Sequence, residues 1–131
     1  MTDNELIEKW LFVFGREVDR KTIEEHVTSY CNYLWHLFTW GNAVCLEGEE
    51  ARKAFDMLQY TRAIKFYDGY SNRIIDVSIV GKVSAKEIDD DTGRDVYFVA
   101  EDFSWTYDRT HEGDCGPYLC VKGSLREIFV Y

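Results

Sequence analysis

At 131 residues the chain has the size of one domain and can bury a core without a disulfide or metal staple. Its hydrophobic content of 46% and aromatic content of 16%, with Pro117 as the single proline, exclude a disordered chain. The net charge of -9 disfavours binding to phosphate backbones and favours a partner of opposite sign.

Asp3, Glu5 and Glu8 come before any apolar run, the reverse of the basic start of a signal peptide. The longest apolar clusters, Trp10 to Phe14 and Tyr33 to Trp40, fall well short of the ~20 residues that cross a bilayer. A cytoplasmic protein with no membrane association is therefore expected, with Cys31, Cys45, Cys115 and Cys120 as reduced thiols. No C-x-x-C pair is present, so neither structural zinc nor any other cofactor is predicted.

The first predicted helix runs from Asn4 to Val18, with Thr2 or Asp3 as its N-cap. Leu6, Ile7, Trp10, Leu11, Phe14 and Val18 repeat at the spacing of one buried helical face. A second helix is expected to open on the capping box Thr22 and Glu25. Its inner face would carry Ile23, Val27, Tyr30, Cys31, Leu34 and Phe38, and it would end near Trp40 at Gly41. After the apolar stretch Ala43 to Leu46, acids at its start and Ala51, Ala54, Phe55 and Leu58 on one face predict a third helix over Glu47 to Gln59.

Strands follow. Ala63 to Tyr67 and Ile74 to Val80 are rich in β-branched and aromatic residues, and Asp68, Gly69, Ser71 and Asn72 between them favour a hairpin. Ser84 and Glu87 form a capping box over a short helix to Asp89, with Val83 and Ile88 placed as a hydrophobic staple. Asp91, Thr92 and Gly93 turn the chain into four further strands: Asp95 to Ala100, Ser104 to Arg109, Tyr118 to Val121 and Glu127 to Tyr131. Helices first and strands later predict a single α+β domain over residues 1–131, its N-terminal helices packed on one face of a mainly antiparallel sheet.

Charge is unevenly distributed. Between Lys86 and Asp114 ten acids oppose three bases, a local charge of -7, which reads either as a surface that keeps the protein soluble or as a face that attracts a basic protein. Within this stretch Phe103, Trp105 and Tyr107 alternate, which would point them to one sheet face. Such a face reads either as core or, if exposed, as aromatic anchors ringed by carboxylates. Asp89-Asp90-Asp91 does not continue as a calcium loop, because the sixth and twelfth places hold Arg94 and Ala100.

His111-Glu112-Gly113-Asp114-Cys115-Gly116-Pro117 brings an imidazole, a thiol and carboxylates together, without the H-E-x-x-H spacing of a zinc protease. It reads as a backbone-bonded turn or as part of a site. His36, among large apolar side chains, reads as a boundary histidine or as a base of lowered pKa. His26, among Glu24, Glu25 and Thr28, is expected to be solvated. Dinucleotide, P-loop and nucleophile-elbow motifs are missing from the sequence.

Several of these stretches carry a resemblance: Tyr33-Leu34-Trp35-His36-Leu37-Phe38, Cys45-Leu46-Glu47-Gly48-Glu49-Glu50-Ala51, and Asp102-Phe103-Ser104-Trp105-Thr106-Tyr107 with Thr110-His111-Glu112 and Gly116-Pro117-Tyr118. Over roughly residues 30 to 120 the chain resembles a family of small bacterial proteins of unknown function, domain of unknown function 4275. The resemblance implies no activity and no catalytic residue.

The leading expectation is a non-enzymatic module that binds a basic protein, such as an immunity protein against a cationic toxin, through Asp89, Asp90, Asp91, Asp95, Asp102, Trp105, Tyr107 and Asp108. The rival is an enzyme or metal site built on His36, His111 and Cys115, which requires these groups to converge.

Overall fold

A computed structural model describes residues 1–29, 33–39, 45–69, 73–91 and 93–122. In chain order the elements are α1 (Asp3–Phe14), α2 (Arg20–His26), α3 (His36–Thr39), β1 (Leu46–Glu47), α4 (Glu49–Asp56), β2 (Arg62–Asp68), β3 (Ile74–Gly81), α5 (Ala85–Asp89), β4 (Val96–Ala100), β5 (Trp105–Arg109) and β6 (Tyr118–Val121). The strands form one antiparallel sheet in the order β1-β6-β5-β4-β2-β3. The fold is α+β, as the order of helical and strand patterns predicted. Among the described residues no helix is long and apolar enough to cross a membrane.

Strand alternation divides the core in two. Phe66, Tyr97, Val99, Tyr118 and Cys120 pack beneath α1 and α3, with Leu6, Trp10, Phe14, Leu37 and Phe38. Ala63, Val96, Phe98, Trp105, Tyr107 and Leu119 point the other way, against Ala51, Phe55 and Leu58 of the α4 segment and Ala85 and Ile88 of α5. The placing of helices on one face thus holds for the N-terminal helices, whereas α4 and α5 cover the opposite face. The central strand β4 is buried along its whole length because it is covered on both sides.

Thr2 caps α1 by accepting from the Glu5 amide at 3.1 Å. The helix stops at Phe14 rather than Val18, with Gly15 as its C-cap, whose amide donates the last hydrogen bond, to the Leu11 carbonyl at 2.9 Å. A side chain at Gly15 would lie 2.8 Å from that oxygen and 3.0 Å from Leu37 Cδ1, so the glycine lets α1 and α3 approach closely.

The long second helix is corrected to two short ones. α2 begins after Asp19, which leaves Thr22 and Glu25 inside it rather than at a capping box. Its end is set by local competition: the amides of Val27 and Thr28 both reach the Ile23 carbonyl, and the Ser29 hydroxyl donates to the Glu25 carbonyl at 2.7 Å. Tyr30, Cys31, Trp40, Gly41, Ala43, Ser71, Asn72, Thr92 and the strand predicted over Glu127 to Tyr131 lie outside the described residues.

The Ser84–Glu87 capping box closes reciprocally, at 3.1 and 3.2 Å, over the buried Ile88. The alternation Phe103, Trp105, Tyr107 breaks at its first member. Phe103 sits in the β4–β5 turn with a left-handed φ of 59° and packs on Phe14 beneath α1, while Trp105 and Tyr107 face α4.

Candidate functional site

The antiparallel register brings the end of β2, the start of β4 and the end of β5 to one end of the sheet: Tyr67 pairs with Val96, and Val96 with Arg109. Asp68, Asp95 and His111, distant in sequence, therefore become neighbours. Asp95 is buried and accepts twice from His111, from the backbone amide at 2.6 Å and from Nδ1 at 2.8 Å. A carboxylate that accepts from Nδ1 fixes a proton there, so in the neutral form of His111 the outward Nε2 would be the acceptor. The His111 side chain is 34% exposed, and its Nε2 lies 3.6 Å from Glu112 Oε1.

The segment leading into α3 completes the arrangement. Tyr33 stacks on Trp35 at 5.8 Å and meets the His111 ring edge-on at 4.9 Å. His36 lies against Trp35 at 4.1 Å, and its Nδ1 is 2.9 Å from the Thr39 hydroxyl. Burial lowers the His36 pKa, against the opposing pull of Glu112 and Asp95.

Buried polar groups support this platform. The Tyr97 hydroxyl donates to Asp68 and accepts from the Trp35 amide at 3.0 Å, which ties the α3 approach to the sheet. Burial pushes the Asp68 carboxyl up to about 7, although the Tyr97 hydrogen bond pulls the other way. Asp108, deeper on the same face, is pushed well above the carboxylate range, chiefly by burial. Its Oδ1 lies 2.7 Å from the Thr106 hydroxyl, which accepts from Trp10 Nε1 at 3.0 Å.

The Thr110 hydroxyl holds the following loop through the Glu112 and Cys115 carbonyls. Cys115 Sγ donates to Glu112 Oε2 at 3.6 Å, so Glu112 stands between the thiol and His111. Burial and the Glu112 carboxylate raise the Cys115 pKa, the opposite of what activates a thiol nucleophile. Arg52, Asp89, His111, Glu112, Cys115 and Pro117 line a cleft of about 190 Å³. Among the described residues no group of three or more histidines, cysteines or carboxylates is placed to hold a metal.

The residues first read as an acidic, aromatic contact face do not form one. Trp105 and Tyr107 are 1% and 0% exposed, with Phe55 stacked on Tyr107 at 4.0 Å and edge-on to Trp105 at 5.8 Å. Asp108 is also buried, because β5 is covered on both faces, and Asp95, just before β4, is buried beneath His111. Asp89 pairs with Arg52 at 2.8 Å and Asp90 with Lys86 at 3.0 Å. Asp91 accepts from the Tyr67 hydroxyl at 3.3 Å, while Asp102 caps the Ser104 amide in the turn at the other end of β4. The local charge of -7 is thus distributed over two ends of the sheet and its interior.

His36 and His111 each pack against Tyr33 and Trp35, and Cys115 lines the cleft beside His111, whereas His36 does not line it. Sequence reasoning missed Asp68 and Tyr97. Asp68 read as a turn former, and its only signal was its place at the end of a predicted strand. His26, set against Glu25 at 3.9 Å, has a side chain 40% exposed.

Neither the curated proteins nor the solved structures contain a match to the chain. The family model described as "Domain of unknown function (DUF4275)" matches residues 5–119, which takes in α1 as well as the motifs around His36 and His111, and the chain belongs to that family.

Proposed function

We propose that the protein is a non-enzymatic module that binds a basic protein, and that its contact centre is the Tyr33–His36–His111 end of the sheet. The observation that carries this reading is the packing of the half-exposed rings. Tyr33, His36 and His111 pack around the buried Trp35 and are fixed from behind by Asp95 and by the Asp68–Tyr97 pair. Pre-organised aromatic groups lose little entropy on contact and make effective anchors. Glu112 and Asp114, exposed on the adjoining loop, supply carboxylates for a lysine or arginine of the partner. An immunity protein against a cationic toxin is one form of this function.

The test is capture from a lysate of the source cell at low and high salt, using the wild type, His111→Ala and the double variant Glu112→Lys with Asp114→Lys as baits. A partner retained by the wild type and lost by both variants supports the reading. A partner held equally by all three baits rules out this end of the sheet.

One observation favours a second reading, a general base at His111: the 2.8 Å contact with Asp95 is the orienting bond such a base needs. Nitrogen-15 NMR of the imidazole should then show the proton on Nδ1 near neutral pH. A proton on Nε2 would leave no outward lone pair and eliminate the base.

A further inference from the structure

On α1, the side opposite Leu6, Trp10 and Phe14 is turned to solvent, and there Phe12 is 66% exposed. Charges of opposite sign flank it, Glu8 one helical turn before it on α1 and Arg16 just past the Gly15 C-cap, both exposed. The Arg16 guanidinium lies over the Phe12 ring at 5.5 Å, and Glu8, Phe12 and Arg16 make one strip along the same groove wall. Among the described residues neither Glu8 nor Arg16 takes part in an ion pair. The strip forms one wall of an open groove of about 490 Å³ that Leu11, Val18 and Ile23 line with apolar groups and Arg20 and Glu24 with charges.

We infer that this strip is a contact between two copies of the chain, packed α1 against α1 in antiparallel order about a two-fold axis at Phe12. Two-fold symmetry requires a surface complementary to itself, and the strip meets that condition. Antiparallel packing about position 12 sets Glu8 of each copy opposite Arg16 of the other and brings each exposed ring to the neighbouring groove. Parallel packing would oppose Glu8 to Glu8 and Arg16 to Arg16. A helix of 12 residues is about 18 Å long, so the contact is smaller than a standard interface and the dimer is weak and dependent on concentration.

Sedimentation equilibrium from micromolar to millimolar protein tests this, at moderate salt to screen the net charge of -9. The mass is expected to rise towards that of a dimer. Phe12→Ser should abolish the rise, and Glu8→Arg or Arg16→Glu should each weaken association by about tenfold, since each creates two like-charge contacts. Combining Glu8→Arg with Arg16→Glu should restore it. Circular dichroism melts of all four variants establish that each is folded, as the exposure of these side chains predicts. A monomer at every concentration overturns the inference, and so does a dimer indifferent to Phe12→Ser or a double variant no stronger than the single reversals.

Discussion

Replacing Trp105 with alanine is expected to lower the unfolding free energy by about 3–5 kcal/mol, the usual cost of deleting a fully buried large aromatic. Trp105 contacts Phe55 at 5.8 Å and Tyr60 at 5.0 Å beneath α4, and β5 is closed on its other face by Trp10 through Thr106. The cavity would open at the centre of the sheet, where covered strands have little room to collapse. Domains of this size retain only about 5–15 kcal/mol in total, so the variant should show a large loss in urea midpoint. A midpoint unchanged from wild type, with reduced partner binding, would return Trp105 to the surface role that its acidic neighbours suggested.

Stability should also fall as pH rises from about 4 to about 7, and Asp68 is one cause. In the unfolded chain this carboxyl titrates near its ordinary 3.8, and in the folded chain at about 7. Between those values the folded state holds a proton that the unfolded state has released. The contribution is therefore complete below the lower value and lost above the upper one. It amounts to at most roughly 4 kcal/mol, from 1.36 kcal/mol per pH unit. Asp108, raised for the same reason, adds a loss of the same sign. His36 has the opposite sign, since its lowered pKa favours the folded state as its imidazole neutralises. Asp68→Asn mimics the protonated acid and should match the wild type near pH 4 while exceeding its urea midpoint near pH 8. Identical pH profiles for the two proteins would refute the assignment.

Local chemistry was legible wherever neighbours in sequence are also neighbours in space. Thr2 over Glu5, the reciprocal bonds of Ser84 and Glu87, and the β2–β3 hairpin all lie within short range. Prediction failed where two local signals competed. The apolar spacing from Ile23 to Phe38 suits one helix, but the Thr28 amide turns back to the Ile23 carbonyl and the Ser29 hydroxyl takes the Glu25 carbonyl that would continue it. It failed again where a pattern had two physical meanings, since alternating aromatics at Trp105 and Tyr107 look the same on a buried face as on an exposed one.

The acidity of the chain, its α+β class and its succession of helices and strands were determined by the sequence alone, because they depend on composition and on periodicities of a few residues. Which acids face water was decided only by tertiary structure. Register places Asp95 under His111 across 16 positions, and α4 closes over Tyr107, while Asp89 and Asp90 take up cations of their own. Burial and pairing are properties of the assembled sheet, so an acidic stretch that is continuous along the chain becomes a support for the two histidines in space.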